Sequence, residues 1–565
     1  MTTYPTRWFK NYEPNIRHTL EPYPQTTLAD MVHETATATP DRPALWFKGK
    51  TLSYREVDAL SDALAAGLVA MGVQKGDRVA ILMPNTPQYV ISELGIWKAG
   101  GVASSINPLY TGHELEHMLN ECGAETAIVM TLFYDKVKAL QGKTPVQRII
   151  ATNIKEYLPT HLRILFGLLK EKKEGHRIEL AARDVWFQDI LKRHQGAKRP
   201  AVDVKPQDPG LILFTGGTTG LAKAAVSSHL GLVQSGLQIQ EWFKNILDDG
   251  EIFLTSLPLF HVFAAAGVQT AALVSRGVMA LVPNPRDLDD VIDSIEKTKA
   301  TFVPGVPTFF NALLDHPKVK SGEADLTSIK LNISGASALL QDTKERFEAL
   351  THSRIVEGYA LTESMMAIVC TPVNGKYKVG SVGMPVPDVA VRIVDADAGE
   401  RDMPAGEVGE IILSAPQLML EYLNRPEATA ATIREMDGRR WLFTADLGYL
   451  DEDGYLFIVD RKKDVIKPSG FQVWPREVEE VIASHPAVKE VGVAGIPDPR
   501  TTEAVKAWVV LEEGQSLTVE ELRAYCKERL AGYKVPRFVE FRSELPKSAV
   551  GKILRRELRR EGEEK

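Results

Sequence analysis

At 565 residues the chain is too long for one hydrophobic core and divides into two to four structural units. With 44% hydrophobic and 25% charged residues it has the composition of a folded globular protein, which argues against disorder. A net charge of -7 is mild at this length and argues against a nucleic-acid protein built on a broad basic field.

The opening residues, MTTYPTRWFKNYEPN, lack the apolar core of a secretory signal. Cys122, Cys370 and Cys526 stand far apart, with no C-x-x-C pair and no disulfide framework, as expected of a reducing cytosol. Ser53-Tyr54-Arg55-Glu56 is a capping box. It opens a helix on which Val57, Leu60, Leu64, Leu68 and Met71 recur at helical spacing. Strands are expected at 79–83, 102–106, 126–130 and 148–152, with a helix at 88–98. Strands alternating with helices imply a parallel sheet with helices on its faces.

His113-Glu114-Leu115-Glu116-His117 matches the zinc protease pattern H-E-x-x-H. Two histidines one turn apart would serve as ligands and Glu114 as base. However, Thr111 and Glu114 form a capping box, which already occupies Glu114. The apolar stripe is Leu115, Met118, Leu119 and Cys122, and both histidines lie roughly 160–200° around the helix from Leu115. They are expected to face water, with no third ligand in view.

Residues 155–200 break the alternation. Leu162, Ile164, Leu165, Leu168 and Leu169 form an apolar stripe, followed by the basic-leaning KEKKEGHR. Two readings stay open: an amphipathic insertion that touches a membrane surface or admits an apolar substrate, and a solvated helical hairpin packed on the body. Then Leu211-Ile212-Leu213-Phe214, suited to a buried strand, runs into a loop of three glycines and three threonines that closes on Lys223. Glycine lets backbone N–H groups approach an anion, threonine adds donors, and the lysine adds charge for a phosphate. The spacing is not that of a Walker A loop.

Further strands are expected at 252–257, 278–282, 301–304, 330–334 and 354–356, with helices at 288–298 and 307–314. The longest apolar run, 264–283, is interrupted by Gln269, Ser275 and Arg276; it reads as a buried helix and a buried strand, not a membrane span. Residues 389–461 change to short strands and turns, a β-rich unit. Beyond Lys463 a compact α+β segment remains, with strands near 491–494 and 506–511. Thr518 and Glu521 cap a helix running through Leu522, Tyr525 and Leu530.

Several loops call for nucleotide chemistry. Ser334-Gly335-Ala336-Ser337 is a small-residue turn that lets a flat ring approach the backbone. Glu357 to Glu363 offers an aromatic face, a hydroxyl and a carboxylate within one short turn. Asp446 presents a carboxylate able to accept two hydrogen bonds from a vicinal diol. Lys552 sits on a glycine turn in PKSAVGK.

In this order, TGGTTGLAK, LPLFH, SGAS, YALTES, DRKK and PKSAVGKILRR closely resemble the acyl-adenylate-forming superfamily of acyl-CoA synthetases, luciferases and peptide-synthetase adenylation domains. The likeness runs from Leu52 to Arg556. GVQKGDRVAILMPNTPQYV, NPLYTGHELEHML and SGFQVWPREVEEVI are most similar to bacterial long-chain fatty-acid–CoA ligases. The resemblance implies an α/β fold. A large N-terminal adenylation domain, residues 1–462, would hold two stacked α/β subdomains, a β-rich subdomain and the insertion at about 155–200. A small mobile α+β C-terminal domain, residues 463–565, would swing about a hinge at Lys463.

The implied reaction has two steps: a carboxylate attacks the α-phosphate of Mg-ATP to give acyl-AMP and pyrophosphate, and the CoA thiol then displaces AMP. The implied partners are fatty acid, ATP, CoA and Mg2+, with no nucleic acid. A cytoplasmic location is implied, with peripheral contact at the inner membrane face if the insertion touches lipid; a homodimer is compatible with it. By resemblance Thr215, Gly216, Gly217, Thr218, Thr219, Gly220 and Lys223 hold the phosphates. Gly335, Ala336, Ser337, Glu357, Gly358, Tyr359 and Ala360 frame adenine, and Thr362 reaches a phosphate. Glu363 binds magnesium with Thr215, Asp446 and Arg461 hold ribose, and Lys552 bridges the carboxylate and the developing charge. His261 gates the acyl site, while Ser469, Gly470 and Phe471 line the pantetheine tunnel in the second orientation.

The sequence departs from the family pattern at Ala222, where proline is usual, and at Ala224, Ala360, Ala445 and Glu421, where glycine is common. Added methyls narrow backbone approach wherever φ must be positive. After His261 the run Val-Phe-Ala-Ala-Ala-Gly-Val has no carboxylate to hold an ammonium, and each buried CH2 gains a fatty chain about 0.8 kcal/mol. That favours fatty over amino acids. The alternatives are a medium-chain or aryl acid ligase of the same superfamily, a catalytically silent nucleotide or acyl binder, and the zinc protease.

Overall fold

Parallel strands dominate the first two thirds of the chain because apolar β-branched runs alternate with helical periodicities, and each such unit crosses over to pair again. A computed structural model describes residues 6–215, 222–548 and 551–563. Among them lie two large sheets interleaved in sequence. An N-terminal hairpin, Pro43–Phe47 with Lys50–Ser53, starts the first sheet; the chain then leaves to build the second and returns.

In the second, eight-stranded sheet, Arg78–Leu82, Val102–Ser105, Thr126–Met130, Arg148–Thr152 and Pro209–Phe214 run parallel. Helix Tyr54–Ala70 opens on its capping box, as the sequence implies. Every residue of helix Pro87–Lys98 is buried, which places this helix between layers rather than on the surface. Side chains stitch those layers together. Asn85 donates to the carbonyls of Thr255 and Leu257 (both 2.8 Å) and accepts from Leu259 N–H (2.9 Å).

The first sheet carries parallel strands Pro43–Phe47, Val278–Leu281, Ile252–Thr255, Phe302–Gly305, Leu331–Ser334 and Arg354–Tyr359. It then turns antiparallel through Val369–Cys370 and Ser381–Pro385 into Leu456–Arg461, Arg439–Leu450, Gly409–Ser414 and Ala390–Val394. The β-rich unit is therefore hydrogen-bonded onto the first sheet, giving a 14-stranded whole. The apolar run after His261 is helix then strand, as expected, but the helix begins with a π-helical stretch, Phe263–Gln269, before Thr270–Val274.

The small domain pairs Val488–Asp498 with Thr502–Leu511 antiparallel and adds Phe538–Arg542 parallel. Its helices are Pro475–Ala483, Val519–Lys527 and Arg555–Glu563. Thr518 and Glu521 do cap the second, but the helix ends before Leu530. Hydrophobic side chains form one large core from Trp8 to Leu456, a small one in the β-rich unit around Trp441 and Phe443, and separate ones from Ile466 onward. All three cysteines are buried and free. No helix among the described residues is long and apolar enough to cross a membrane.

The insertion forms helix Thr160–Leu169, none of whose residues is buried. Ile164, Leu165, Leu168 and Leu169 are 59%, 52%, 78% and 65% exposed. Four residues of the apolar stripe thus turn outward, while Leu162 and Phe166 are half-buried and the Phe166 ring meets His176 edge-on at 5.4 Å, so the helix rests on the body by its other side. Phe187, Ile190 and Leu191, on the following helix Phe187–Arg193, are buried.

Candidate active site

Strand Pro209–Phe214, before the Gly/Thr loop, pairs antiparallel with Ala224–Ser228, after it, and the two form a hairpin. At its mouth Thr215 N–H donates to the Lys223 carbonyl (3.0 Å), and Lys223 N–H donates to Thr215 Oγ1 (3.2 Å). Gly216, Gly217, Thr218, Thr219 and Gly220, expected to hold phosphates, lie outside the described residues. The Lys223 ammonium stands 4.1 Å from the centre of the Tyr422 ring. Tyr422 in turn donates its hydroxyl to Glu363 Oε1 (2.5 Å). Burial pushes the Lys223 ammonium below its ordinary value; Glu363 opposes this, and Lys463 and Arg425 add to it. A desolvated cation among other cations is the electrostatic setting for an anion.

The turns expected to take a flat ring lie where two parallel strands end. Leu331–Ser334 passes into Gly335-Ala336-Ser337, with Gly335 N–H donating to the Gly305 carbonyl (3.2 Å). A Cβ on Gly335 would come within 3.0 Å of the Phe263 ring and 3.4 Å of the Gly358 carbonyl. Ala336 takes a left-handed φ of 68°. Contrary to the single short turn expected, Glu357, Gly358 and Tyr359 still belong to strand Arg354–Tyr359. The Glu357 carboxylate is buried and accepts from the Tyr377 hydroxyl (3.2 Å) and Leu339 N–H (3.5 Å); burial raises its pKa. Ala360, Thr362 and Glu363 follow in a half-buried turn.

Strand pairing sets Asp446 opposite Arg461. Arg461 Nε lies 3.1 Å from Asp446 Oδ1, and the Tyr359 hydroxyl donates to Oδ2 (2.7 Å). This orients the Tyr359 ring and the carboxylate together; the carboxylate keeps lone pairs for a diol. Of the departures from the family pattern, only Ala445 takes a left-handed φ, 58°. Ala222, Ala224, Ala360 and Glu421 do not, so their side chains bring no such strain.

His261 N–H donates to the Pro258 carbonyl (2.9 Å), and its Nδ1 accepts from Phe263 N–H (3.3 Å). Burial, then the charge of Lys552, holds the imidazole at a pKa of about 4. Lys552 follows Gly551, whose φ is 79°. A Cβ on that glycine would meet Thr308 Oγ1 at 2.7 Å, so the lysine loop rests directly on the large domain. Lys552 is exposed as a residue, while the protein around its ammonium desolvates the charge. Its ammonium is pushed down to about 8, first by burial and then by Arg461, with Asp446 opposing.

The small domain is held in this orientation through Asp460, which is buried on strand Leu456–Arg461. Its Oδ1 accepts from Arg461 N–H and from Arg555 Nη1 (both 2.7 Å), and its Oδ2 accepts from Arg476 N–H (2.8 Å). On the large-domain side, Lys462 N–H donates to the Ala445 carbonyl (2.9 Å) and its ammonium meets Glu410 at 3.3 Å. The first bridge of the small domain is Ile466 with Val473, and Lys463 falls between. Ser469 N–H donates to the Thr501 carbonyl (2.8 Å), and the Phe471 ring stacks on Tyr533 at 4.8 Å. No hydrogen bond or ring contact among the described residues joins 469–471 to Thr215, Asp446 or Lys552.

Among the described residues no three His, Cys, Asp or Glu side chains converge as a metal nest. The Glu363 carboxylate and Thr215 hydroxyl, linked through Lys223 and Tyr422, are hard oxygen donors of the kind magnesium takes alongside phosphate and water.

Local sequence does not reveal the parts played by Tyr422, Glu410, Asp460 and His117. Tyr422 sits one residue past the unusual Glu421, but nothing around it says that its ring reaches Lys223. The expectation for His117 is corrected. His113 is exposed, whereas His117 is half-buried and bonded through Nε2 to the Ala222 carbonyl (3.0 Å). The Thr111–Glu114 capping box is present.

A family model described as AMP-binding enzyme matches residues 32–423, and one described as AMP-binding enzyme C-terminal domain matches 477–552. A long-chain-fatty-acid–CoA ligase of Bacillus subtilis (strain 168) is 40% identical, over 98% of this chain and 97% of its own. Another, of Escherichia coli O6:H1, is 37% identical over 98% of each. The ATP-bound crystal structure of MatB from Rhodopseudomonas palustris superposes with a TM-score of 0.81 at 28% identity, covering 95% of this chain and 99% of that one.

Proposed function

Since the chain belongs to the AMP-binding enzyme family, we propose that it is an ATP-dependent long-chain fatty-acid–CoA ligase, which forms acyl-AMP and pyrophosphate and then acyl-CoA and AMP. One observation carries the reading. Thr215, Lys223, Tyr422 and Glu363 form one contact chain, Tyr359, Asp446 and Arg461 form another, and Lys552 lies within electrostatic reach of the second.

A carboxylate is a poor electrophile, and converting it to a mixed anhydride is an in-line displacement at phosphorus. Such a step needs positioning and charge neutralisation more than covalent help. Lys223 meets the phosphates at the hairpin mouth, and Thr362 reaches a phosphate by the family resemblance. Gly335, Ala336, Ser337, Gly358 and Ala360 frame the base against Tyr359, with Glu357 supporting from behind. Asp446 and Arg461 take the ribose. The Lys552 ammonium bridges the carboxylate and the charge that develops in the first step, while neutral His261 borders the acyl entry. Glu363 and Thr215 would hold Mg2+, which supplies charge neutralisation on phosphate oxygens.

For the second step, the small domain, residues 463–565, turns about Lys463 and brings Ser469, Gly470 and Phe471 to the pantetheine arm. The outward stripe of helix Thr160–Leu169, followed by Lys170, Lys172 and Lys173, supports peripheral contact with an anionic lipid surface, from which a fatty acid is drawn.

The test is CoA-dependent AMP release across C2 to C20 acids and aryl acids. Release is expected to be greatest at about C12 or longer, because each added buried CH2 gains about 0.8 kcal/mol. A maximum among aryl or short acids, or no release with any acid, overturns the proposal.

A further inference from the structure

The helix carrying the H-E-x-x-H pattern, Gly112–Cys122, buries Leu115, Met118, Leu119 and Cys122 on one face. Its other face is not simply solvated. His117 and Glu121, one turn apart and therefore side by side, each hold a different wall of the phosphate site. His117 Nε2–H donates to the carbonyl of Ala222, the residue before Lys223 (3.0 Å). Glu121 accepts from Arg425 in bidentate fashion, Nε to Oε1 at 2.6 Å and Nη2 to Oε2 at 2.9 Å. Arg425 N–H donates to the Tyr422 carbonyl (3.0 Å), so that ion pair fixes the segment presenting Tyr422. The two walls meet where Lys223 lies over the Tyr422 ring and Tyr422 bonds Glu363.

Fixing this geometry before ATP arrives matters, because a lysine and a carboxylate at a triphosphate act through preorganisation. We infer that His117 and Glu121 are positioning residues: a two-point brace that sets the Lys223 and Tyr422 walls for ATP without touching it. The ring donates through Nε2 and so supplies one directional hydrogen bond. Glu121 supplies a forked, charge-assisted one. The brace uses His117 and Glu121, whereas His113, the first histidine of the zinc-like pattern, is exposed and takes no part in it.

The inference rests on Lys223 being a phosphate-binding group, and the experiment separates the two. Steady-state kinetics are measured with ATP, fatty acid and CoA varied in turn for H117A, H117Q, E121Q and K223A in the full chain. Loss of one hydrogen bond corresponds to about a 3- to 10-fold rise in KM. H117A is expected to raise the KM for ATP by that factor, with kcat within about twofold and the other two KM values unchanged. H117Q, whose amide N–H can still reach the Ala222 carbonyl, recovers most of the loss, and E121Q shows a smaller rise confined to ATP. An unchanged KM for ATP in H117A, an equal rise for all three substrates, or no recovery in H117Q overturns the brace. Should H117A fail to fold, E121Q decides: a rise confined to ATP supports the brace, and an unchanged KM for ATP overturns it. If K223A leaves the KM for ATP unchanged, the reading of the phosphate site itself fails; if K223A alone raises it, only the brace does.

Discussion

Burial acts on Lys552 and His261 in the same direction, because each is charged only when protonated, and protein replaces the water that would solvate the cation. The lysine reaches about 8 and the histidine about 4, so near pH 7 one is charged and the other neutral. Lys552→Ala should lower acyl-AMP formation by about 100-fold or more. Thioester formation from supplied acyl-AMP should stay within about threefold; half-reaction assays that lose both halves equally would refute the role. Because the lowered pKa releases the proton as pH rises through about 8, kcat/KM for adenylation should fall above that pH. Lys552→Arg should move that limb to higher pH. Glu93 shows the opposite sign. It is fully buried, bonded to Gln269, and pushed up to about 8 by burial. Its folded state therefore binds a proton that the unfolded chain releases near the ordinary carboxylate range, and stability falls as pH rises between those values. Glu93→Gln should raise Tm at pH 8 and give no gain at pH 4; a gain of equal size at both would sink the assignment.

Capping boxes at Ser53, Thr111 and Thr518 start their helices in the structure because the box satisfies N-terminal donors with residues three apart, a wholly local arrangement. Helix Thr160–Leu169 differs in turning Ile164, Leu165, Leu168 and Leu169 outward. The double variant Leu165→Glu, Leu168→Glu should weaken binding to anionic vesicles by about 10-fold or more, since each leucine contributes about 1.5–3 kcal/mol when fully buried. Its Tm should not change, because neither side chain packs in the fold. Vesicle binding equal to the parent would remove this helix from any lipid role. The π-helical stretch Phe263–Gln269 widens the turn between His261 and the wall of small residues. Gly267 within it leaves room for Met366, whose Cε would lie 3.1 Å from a Cβ there.

In the molecule as a whole, Asp460 couples the large domain to the small one. Its carboxylate binds two donors of the small domain, one of them Arg555, which is three residues beyond Lys552. These contacts belong to the orientation that presents the lysine and must break if the domain turns. Asp460→Asn should therefore slow adenylation by about 10-fold or more, as expected when one partner of a buried ion pair is removed, while transfer from supplied acyl-AMP is unchanged or faster. Equal slowing of both half-reactions, or none of either, would show that Asp460 does not hold this orientation.

The sequence by itself determined the alternation of strands and helices from Tyr54 onward, the three capping boxes, the strand before the Gly/Thr loop and the order of motifs that resembles the adenylate-forming superfamily. All of these are set within a few residues, by side-chain alternation, backbone freedom at glycine and donors satisfied one turn away. Tertiary structure alone decided that the β-rich unit extends the first sheet, that Tyr422 bridges Lys223 and Glu363, and that His117 turns to Ala222 instead of water. It also decided which added methyl is strained: Ala445 takes a left-handed φ, while Ala224 lies in an ordinary strand. The reason is physical. A helix's periodicity reports the face that meets the core beneath it, and it carries no record of a hairpin, arriving a hundred residues later, that packs against the other side.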